Sequence, residues 1–206
     1  MGVKINPQLK WTAHFTDVCK KMKFGLHALA KIKKINNIAV KKYVYEAFIK
    51  SHLTYAMPAW YPGLTQQQKM ALERLNKAAV RMIIGANRHS HSAEIYKRLK
   101  LLKTDDIFTL AVISSTRKLQ ESINNNNNLR QYITSQETRT RRGYIFIPKT
   151  RGKTISSHIK LQEKYKEKLE CGFRTETILN HLKTDLISEY RTVCGVAGCH
   201  SCNTTN

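Results

Sequence analysis

Apolar residues recur at helical spacing along much of the chain. From Trp11 to about Lys34 they are separated by steps of three and four residues, the pattern of a helix that buries one face. The apolar positions are Phe15, Val18, Cys19, Met22, Leu26, Leu29 and Ile32. On the opposite side, with the same spacing, lie Lys20, Lys23, His27, Lys31 and Lys34. The pattern therefore predicts a first helix with one packed face and one basic face.

Two more helices follow after short connections. The second is predicted from Ile38 to about Tyr55, with Pro58 and Pro62 of the stretch AMPAWYPG as stops. A third helix has Thr65 as a suitable N-cap and ends at Gly85. Its apolar stripe is Leu72, Leu75, Ala79 and Met82, and its basic stripe is Arg74, Lys77 and Arg81. Three helices with short loops predict a small bundle over residues 11–90.

The remaining segments alternate between helical and irregular patterns. Two helices, separated near Lys103, are predicted in residues 91–123. The asparagine tract beginning at residue 124 predicts a linker over 124–136, because such a polar run adds nothing to a core. Residues 137–206 form a basic C-terminal region, with one short apolar strand at Tyr144 to Ile147 and a charged helical pattern over 158–190.

The start of the chain has a different pattern. Val3 and Ile5 alternate with polar residues, which predicts a β-strand within residues 1–10. The predicted fold class is therefore mainly α. A small helical bundle is followed by further helices, a short strand and a basic, partly irregular C-terminal region.

The charge balance decides which partners are expected. Lys and Arg number 36 against 14 Asp and Glu, which gives a net charge of +22. A field of that strength attracts polyanions and releases their counterions on binding. Basic helices that lie on membranes usually carry larger aromatic faces, and no apolar run is long enough to cross a bilayer. Nucleic acid is the expected partner, and a membrane is not.

Cysteine usage points to a reducing compartment. The chain has five cysteines, an odd number with three of them near the end, and its first residues lack the apolar core of a secretory signal. An intracellular protein is expected, nuclear or cytoplasmic. Cys194, Cys199 and Cys202 are candidate zinc ligands, because zinc knuckles use a C-x-x-C spacing. No second well-separated pair follows, so a thiol-bearing tail without metal is the alternative.

The stretch TDDIF raises the question of catalysis. Paired aspartates hold the two metal ions of polymerases, and Asp105 and Asp106 form such a pair. Their position favours another role, because Thr104 or Asp105 precedes an apolar helical run whose free amides a side-chain oxygen can cap. A polymerase also needs a further aspartate on a neighbouring strand, and no suitable strand precedes this stretch. We predict helix capping, and no catalytic residue in the chain.

Aromatic residues cluster around the end of the second predicted helix. They are Tyr43, Tyr45, Tyr55, Trp60 and Tyr61. Bases of single-stranded nucleic acid stack on exposed aromatic rings, but aromatic residues at helical spacing more often lie in a core. The pattern favours the core.

Three motifs resemble one known family. The stretches MGVKINPQLKWTAHFTDVCKK, SHLTYAMPAW and RLNKAAVRMIIGA are similar to the C-terminal part of reverse transcriptases from LINE-type (non-LTR) retrotransposons, near the jockey-like branch. Gly2, Val3, Ile5, Trp11 and His14 match the first motif; Leu53, Tyr55, Ala56 and Trp60 match the second; Arg74, Leu75, Ala79, Arg81, Ile83 and Gly85 match the third. More loosely, TRTRRGYIFIPKTRGKT is similar to a basic stretch near the C-terminus of these proteins.

The resemblance assigns each segment of the chain to a part of a reverse transcriptase. Residues 1–10 would be the last, primer-grip strand of a palm, residues 11–90 a thumb and residues 91–123 the post-thumb helices. The fingers and palm, with the Y/F-x-D-D motif that binds Mg²⁺, would precede this chain and be its protein partner. The chain alone would then be no enzyme and hold no Mg²⁺. It would bind the RNA template and the RNA–DNA duplex of a transposable element.

The resemblance also assigns the binding residues. A thumb lies along the template–primer duplex and contacts phosphates, which position the protein without specifying sequence. The candidates for that contact are Lys20, Lys23, Lys31, Arg74, Lys77 and Arg81. The candidates for gripping template RNA are Arg139, Arg141, Arg142, Lys149, Arg151 and Lys153. The alternatives are a free-standing basic nucleic-acid-binding protein derived from such a thumb, and a degraded product without a selected role.

Overall fold

Helices account for most of the residues that the structure describes. The computed structural model describes residues 2–5, 10–124, 153–170 and 174–190. The helices in chain order are α1 (Thr12–Lys31), α2 (Ile38–Tyr45), a π-helical turn (Glu46–Lys50), α3 (Ser51–Thr54), α4 (Met57–Trp60), a 3₁₀ turn (Tyr61–Gly63), α5 (Gln66–Ile84), α6 (Ser92–Leu99), α7 (Thr104–Asn124), α8 (Lys153–Lys164), α9 (Lys166–Glu170) and α10 (Thr175–Ser188). The prediction of a mainly α fold is confirmed. The predicted strand at 144–147 and nearly all of the predicted linker lie outside the described residues.

The first helix has the two faces that its sequence predicts. Val18, Met22 and Leu29 are buried, and the other predicted apolar residues pack against the same core. The basic residues of the opposite face are exposed. α1 packs on α5 and on the segment from α2 to α3, so these helices form the centre of a bundle.

The second predicted helix is one nearly continuous helical segment with a π-helical turn in its middle. Asn37 caps its start, because the side-chain Oδ1 accepts hydrogen bonds from the amides of Ala39 and Val40. It ends at Thr54, before either proline, so the prolines are not its stops. Ala56, in the left-handed conformation at φ 50°, redirects the chain. Pro58 then lies in the first turn of α4, where its missing N–H costs nothing.

Both ends of α5 are the ones that the sequence predicts. Thr65 and Gln68 form a reciprocal capping box, and Gly85 ends the helix at φ 76°. The apolar stripe needs one correction, since Met82 is 36% exposed and Ile83 is fully buried. The reason is the helical period of 3.6 residues, which places Ile83 on the same face of the helix as Leu72 and Ala79.

Residues 2–5 do not form the predicted strand. A strand needs a neighbouring strand to share its backbone hydrogen bonds, and the described part of the chain offers none. The segment instead lies on α1: the amide of Lys4 donates to His14 Nδ1 at 3.4 Å, and Lys4 Nζ is 2.9 Å from Asp17 Oδ1. Lys21 also pairs with Asp17, and the two lysines lower the pKa of this carboxyl to about 2.

The C-terminal helices close the other side of the bundle. α10 packs on α7 and α6, and α8 packs on α7 and on the 3₁₀ turn. The predicted helical pattern over 158–190 is therefore confirmed for the residues that are described. Within those residues, no helix has the length and apolar character needed to cross a membrane.

Asn76 joins three parts of the fold from a fully buried position on α5. Its Oδ1 accepts a hydrogen bond of 2.8 Å from the Tyr45 hydroxyl of α2, and its Nδ2 donates to the Leu102 carbonyl at 3.2 Å. Leu102 lies in the short connection between α6 and α7. Buried polar groups cost free energy unless they are paired, so these two bonds fix α2 and the connection relative to α5.

Tyr45→Phe is expected to destabilise the protein by about 1–3 kcal/mol, because it leaves Asn76 Oδ1 buried without a donor. The measurement is the free energy of unfolding in urea. The control is Tyr43→Phe, which removes a hydroxyl from a side chain that is 71% exposed and should change stability little. Equal effects of the two substitutions would contradict the role of the Tyr45–Asn76 bond.

Gly25 allows α1 to approach the π-helical turn closely. A Cβ atom at this position would lie 2.5 Å from Ile49 Cγ1 and 2.9 Å from the Phe48 carbonyl oxygen. Real Cβ atoms do not tolerate such distances, and Ile49 is fully buried. The glycine is therefore a packing requirement at the centre of α1.

Gly25→Ala is expected to lower the free energy of unfolding by about 1–2 kcal/mol. The overpacking cost of about 1–3 kcal/mol exceeds the gain of up to about 1 kcal/mol from better helix propensity. Urea denaturation measures the change. Gly2→Ala is the control, since a Cβ there would meet no atom within 4 Å. A stabilised Gly25→Ala variant would mean that the helices separate without cost.

Candidate nucleic-acid interface

The three cations predicted on α5 lie together on the outer face of that helix. Arg74, Lys77 and Arg81 line an open groove of about 610 Å³. The other residues that line it are Ala78, Met82, Ala86, Arg88 and His89. The groove thus combines cationic groups with apolar side chains. Arginine and lysine side chains that share one surface can bind phosphate groups.

Arg81 holds the loop that forms one side of the groove. Its Nε and Nη2 both donate to the Ser90 carbonyl, at 3.1 and 3.0 Å. Gly85 turns the chain at the end of α5, and the two hydrogen bonds from Arg81 hold residues 85–91 back against the helix. Arg88 and His89 enter the groove through this fold. Sequence reasoning missed both, and their only signal was the basic run that follows the helix-ending glycine.

The cations of the groove differ in how far they are already paired. Lys77 Nζ lies 3.8 Å from Glu73 Oε1, a partly exposed pair of the kind that contributes well under about 1 kcal/mol. Arg74 and Arg88 are exposed, and no carboxylate in the described part of the chain pairs with either. The groove therefore keeps a net positive charge.

The α1 cations form a separate surface. Lys20, Lys23 and Lys31 are exposed along the face of α1 that points away from the core, and none of them lines the groove on α5. The acid of this helix, Asp17, pairs with Lys4 and Lys21 and leaves the row of lysines unneutralised. The structure places the α1 set and the α5 set on the outer faces of two different helices.

The remaining predicted site residues have no described side chains. Arg139, Arg141, Arg142, Lys149 and Arg151 lie outside the described residues, as do the zinc candidates Cys194, Cys199 and Cys202. Lys153 is the first residue of α8. In the ranges that the structure covers, no group of three His, Cys, Asp or Glu side chains is placed to hold a metal ion.

Asp105 and Asp106 lie in the first turn of α7, as the sequence predicts. Each carboxylate accepts a hydrogen bond from a tyrosine: Asp105 from the Tyr61 hydroxyl at 2.6 Å, and Asp106 from that of Tyr190. Burial and these carboxylates raise the pKa of both phenols, which keeps their protons in place. The two aspartates thus fasten α7 to the 3₁₀ turn and to the end of α10.

The prediction that Thr104 or Asp105 caps α7 needs a correction. Thr104 Oγ1 is buried without a hydrogen-bond partner, and Asp105 is bound to Tyr61. The Thr104 amide instead donates at 2.9 Å to Glu73 Oε2 of α5. Glu73 of another helix thus binds a free amide at the start of α7 and adds its negative charge to that of Asp105 and Asp106, and local sequence gave no sign of this contact.

The first two family-like motifs meet in the core. The rings of His14 and Trp60 are 5.2 Å apart in an edge-to-face arrangement, and Trp60 Nε1 donates to the Tyr55 carbonyl at 2.9 Å. Trp11 packs closely on Gly63, where a Cβ would lie 2.5 Å from its Cδ1 atom. These motif residues therefore contribute to the packing between α1 and the segment that contains α4.

The aromatic cluster divides between core and surface. Tyr45, Trp60 and Tyr61 are buried, as predicted. Tyr43 and Tyr55 are 71% and 40% exposed, so the prediction of a core position is wrong for these two. Tyr43 lies on the outer side of α2, and Tyr55 follows the end of α3, just before the left-handed Ala56.

His14 makes stability depend on pH. Burial lowers its pKa, and likewise that of His158, which bonds to the Pro58 carbonyl. The unfolded chain then binds protons more readily than the folded one below the ordinary histidine pKa of 6.5. The stability that these neutral histidines contribute is complete above that pKa and is lost as pH falls through the lower folded values.

We expect the free energy of unfolding to fall as pH drops from about 7.5 to about 5.5. His14→Gln should reduce this slope by up to about 1.4 kcal/mol per pH unit, the contribution of one proton. Urea titrations at several pH values measure both slopes. An identical slope in the variant would show that His14 is protonated equally in both states.

Comparisons with known proteins identify no similar protein. No family model matches the chain, and neither the curated proteins nor the solved structures contain a significant match.

Proposed function

We propose that this chain is the C-terminal part of a LINE-type reverse transcriptase, and that its helical bundle acts as a thumb on the template–primer duplex. The observation that carries the proposal is the groove on α5, where Arg74, Lys77 and Arg88 meet on one surface. Arg74 and Arg81 belong to the third family-like motif. The net charge of +22 supports a polyanionic ligand.

The spacing of the α5 cations suits a nucleic-acid backbone. Arg74 and Arg81 are seven residues apart on one helix face, so they span about 10 Å along the axis. Successive nucleotides of one strand rise by about 3.4 Å, so this row covers about three of them. Such contacts hold the duplex in register without selecting its sequence.

The proposed role is binding and positioning. Phosphoryl transfer would need carboxylate-bound metal ions, and in this proposal those aspartates belong to a palm outside this chain. The residues of this chain would hold the duplex so that a primer end stays aligned with that palm. Arg81 would act mainly by holding the loop that carries Arg88, through its two bonds to Ser90.

A free-standing nucleic-acid-binding protein is the second candidate. The observation that favours it is the packing of residues 2–5 on α1, where Lys4 binds His14 and Asp17 of the same chain. The described helices share one apolar core. Sequencing the transcript upstream of the Met1 codon separates the candidates: an open frame encoding a paired-aspartate strand supports the thumb, and a separate start codon supports the free-standing protein.

The double variant Arg74→Glu/Lys77→Glu tests the groove. Its affinity for a fluorescein-labelled RNA–DNA duplex should fall at least tenfold, and the slope of log affinity against log salt should become shallower by about 2. Fluorescence anisotropy at several salt concentrations measures both. Arg81 is left intact because its substitution would release the loop.

The matched control is Arg98→Glu/Lys118→Glu. Both residues are exposed cations on α6 and α7, outside the groove, and the control changes the net charge by the same amount. The control should retain most of the affinity. If both double variants weaken binding equally, total charge and not the groove determines binding, and the proposal fails.

A further inference from the structure

Two neighbouring phenylalanine rings lie exposed on the surface of the bundle. Phe24 of α1 is 63% exposed and Phe48 of the π-helical turn is 41% exposed. Their ring centroids are 6.1 Å apart and the rings are tilted by 57°. Single exposed apolar residues are common, whereas two adjoining exposed rings form one contiguous apolar surface, and such surfaces are a feature of interaction sites.

The backbone holds this pair firmly. Gly25 of α1, next in sequence to Phe24, lies close to the Phe48 carbonyl of the π-helical turn. The neighbouring Ile49 is fully buried and anchors the turn in the core. π-Helical turns within helices occur frequently at functional sites. The rings therefore project from rigid elements, so binding costs little conformational entropy.

The surroundings of the pair are cationic. Lys20 precedes Phe24 by four residues and His27 follows it by three, so both are its neighbours on the helix surface, and Lys23 is adjacent in sequence. All three side chains are exposed. The nearest acids in sequence are already engaged, Asp17 with Lys4 and Lys21, and Glu46 with Lys50 at 3.4 Å.

We propose that Phe24 and Phe48 stack on unpaired bases of a single-stranded nucleic acid, while Lys20 and Lys23 bind its phosphates. Aromatic rings beside cations are the means by which proteins hold single strands, because every base has a π face. An apolar protein partner would gain nothing from the surrounding lysines. The inference rests on the proposed nucleic-acid binding, but it assigns a second site to it: α1 takes unpaired strand and α5 takes duplex.

The test is binding of a fluorescein-labelled oligouridylate of about 12 nucleotides, within the length that one single-strand-binding domain covers. Phe24→Ala/Phe48→Ala should lose about tenfold or more in affinity, the effect of losing at least one stacked base. The salt slope should not change, because no cation is removed. Affinity for the RNA–DNA duplex should change less than about twofold. Tyr43→Ala removes another exposed aromatic ring and should bind like the wild type.

Phe24→Leu separates stacking from general apolar contact. Leucine keeps an apolar surface but lacks a π face, so the variant should bind oligouridylate almost as poorly as Phe24→Ala. In the reverse design, Phe24→Trp should retain binding, and its indole emission should be quenched on addition of oligouridylate. Circular dichroism of each variant checks that the helices remain formed.

Three results would overturn the inference. One is wild-type affinity for oligouridylate in the double alanine variant, and another is an equal loss for single strand and duplex. The third concerns sedimentation: the wild type self-associates, the Phe24→Leu variant still does, and the Phe24→Ala variant does not. That result would assign the rings to a contact between two copies of the chain. Failure of the α5 variants to affect duplex binding, with oligouridylate binding intact, would refute the duplex proposal and leave this site standing.

Discussion

The arrangement of the bundle depends on two polar residues of α5, the partly buried Glu73 and the fully buried Asn76. Glu73 and Asn76 lie one turn apart on this helix and form hydrogen bonds with three other segments. Glu73 accepts from the Thr104 amide at the start of α7, while Asn76 accepts from the Tyr45 hydroxyl of α2 and donates to the Leu102 carbonyl before α7. Tyr96 of α6 adds a longer bond of 3.4 Å to Glu73. Apolar contacts alone would allow these helices several packings, whereas polar groups that must be paired in the interior permit few.

A consequence of this arrangement is that the cations of α5 remain outside. The core side of the helix uses its apolar residues together with Asn76, and the 3.6-residue period carries Arg74, Lys77 and Arg81 to the opposite side. α1 follows the same plan, with Val18, Met22 and Leu29 inside and its lysines outside. Two of the central helices thus present rows of positive charge, which repel one another and lower stability unless a polyanion neutralises them.

The two proposed sites divide the ligand chemistry between these helices. The α5 groove offers arginine and lysine with small apolar side chains, which suits the regular backbone of a duplex. The α1 surface adds the Phe24–Phe48 pair, which suits bases that are not already paired and stacked. As the proposed thumb, the bundle would meet both forms, the duplex and the unpaired template beside it. In this picture the family-like motifs supply mainly the scaffold, as His14, Trp11 and Trp60 do in the core.

Local sequence patterns are sufficient to predict most of the helices and the faces that they bury. The packed side of α1, the capping box at Thr65 and the left-handed end at Gly85 all follow from residues within a turn of one another, because helix hydrogen bonds and side-chain periodicity are local. Which residues of different helices come into contact follows from the packing of the bundle. Glu73 and Thr104, Asp106 and Tyr190, and Phe24 and Phe48 lie far apart in the chain, and their pairing depends on how helices pack. Arg88 and His89 line the groove in a loop that Gly85 turns and that Arg81 holds through the Ser90 carbonyl, a contact that no local pattern encodes.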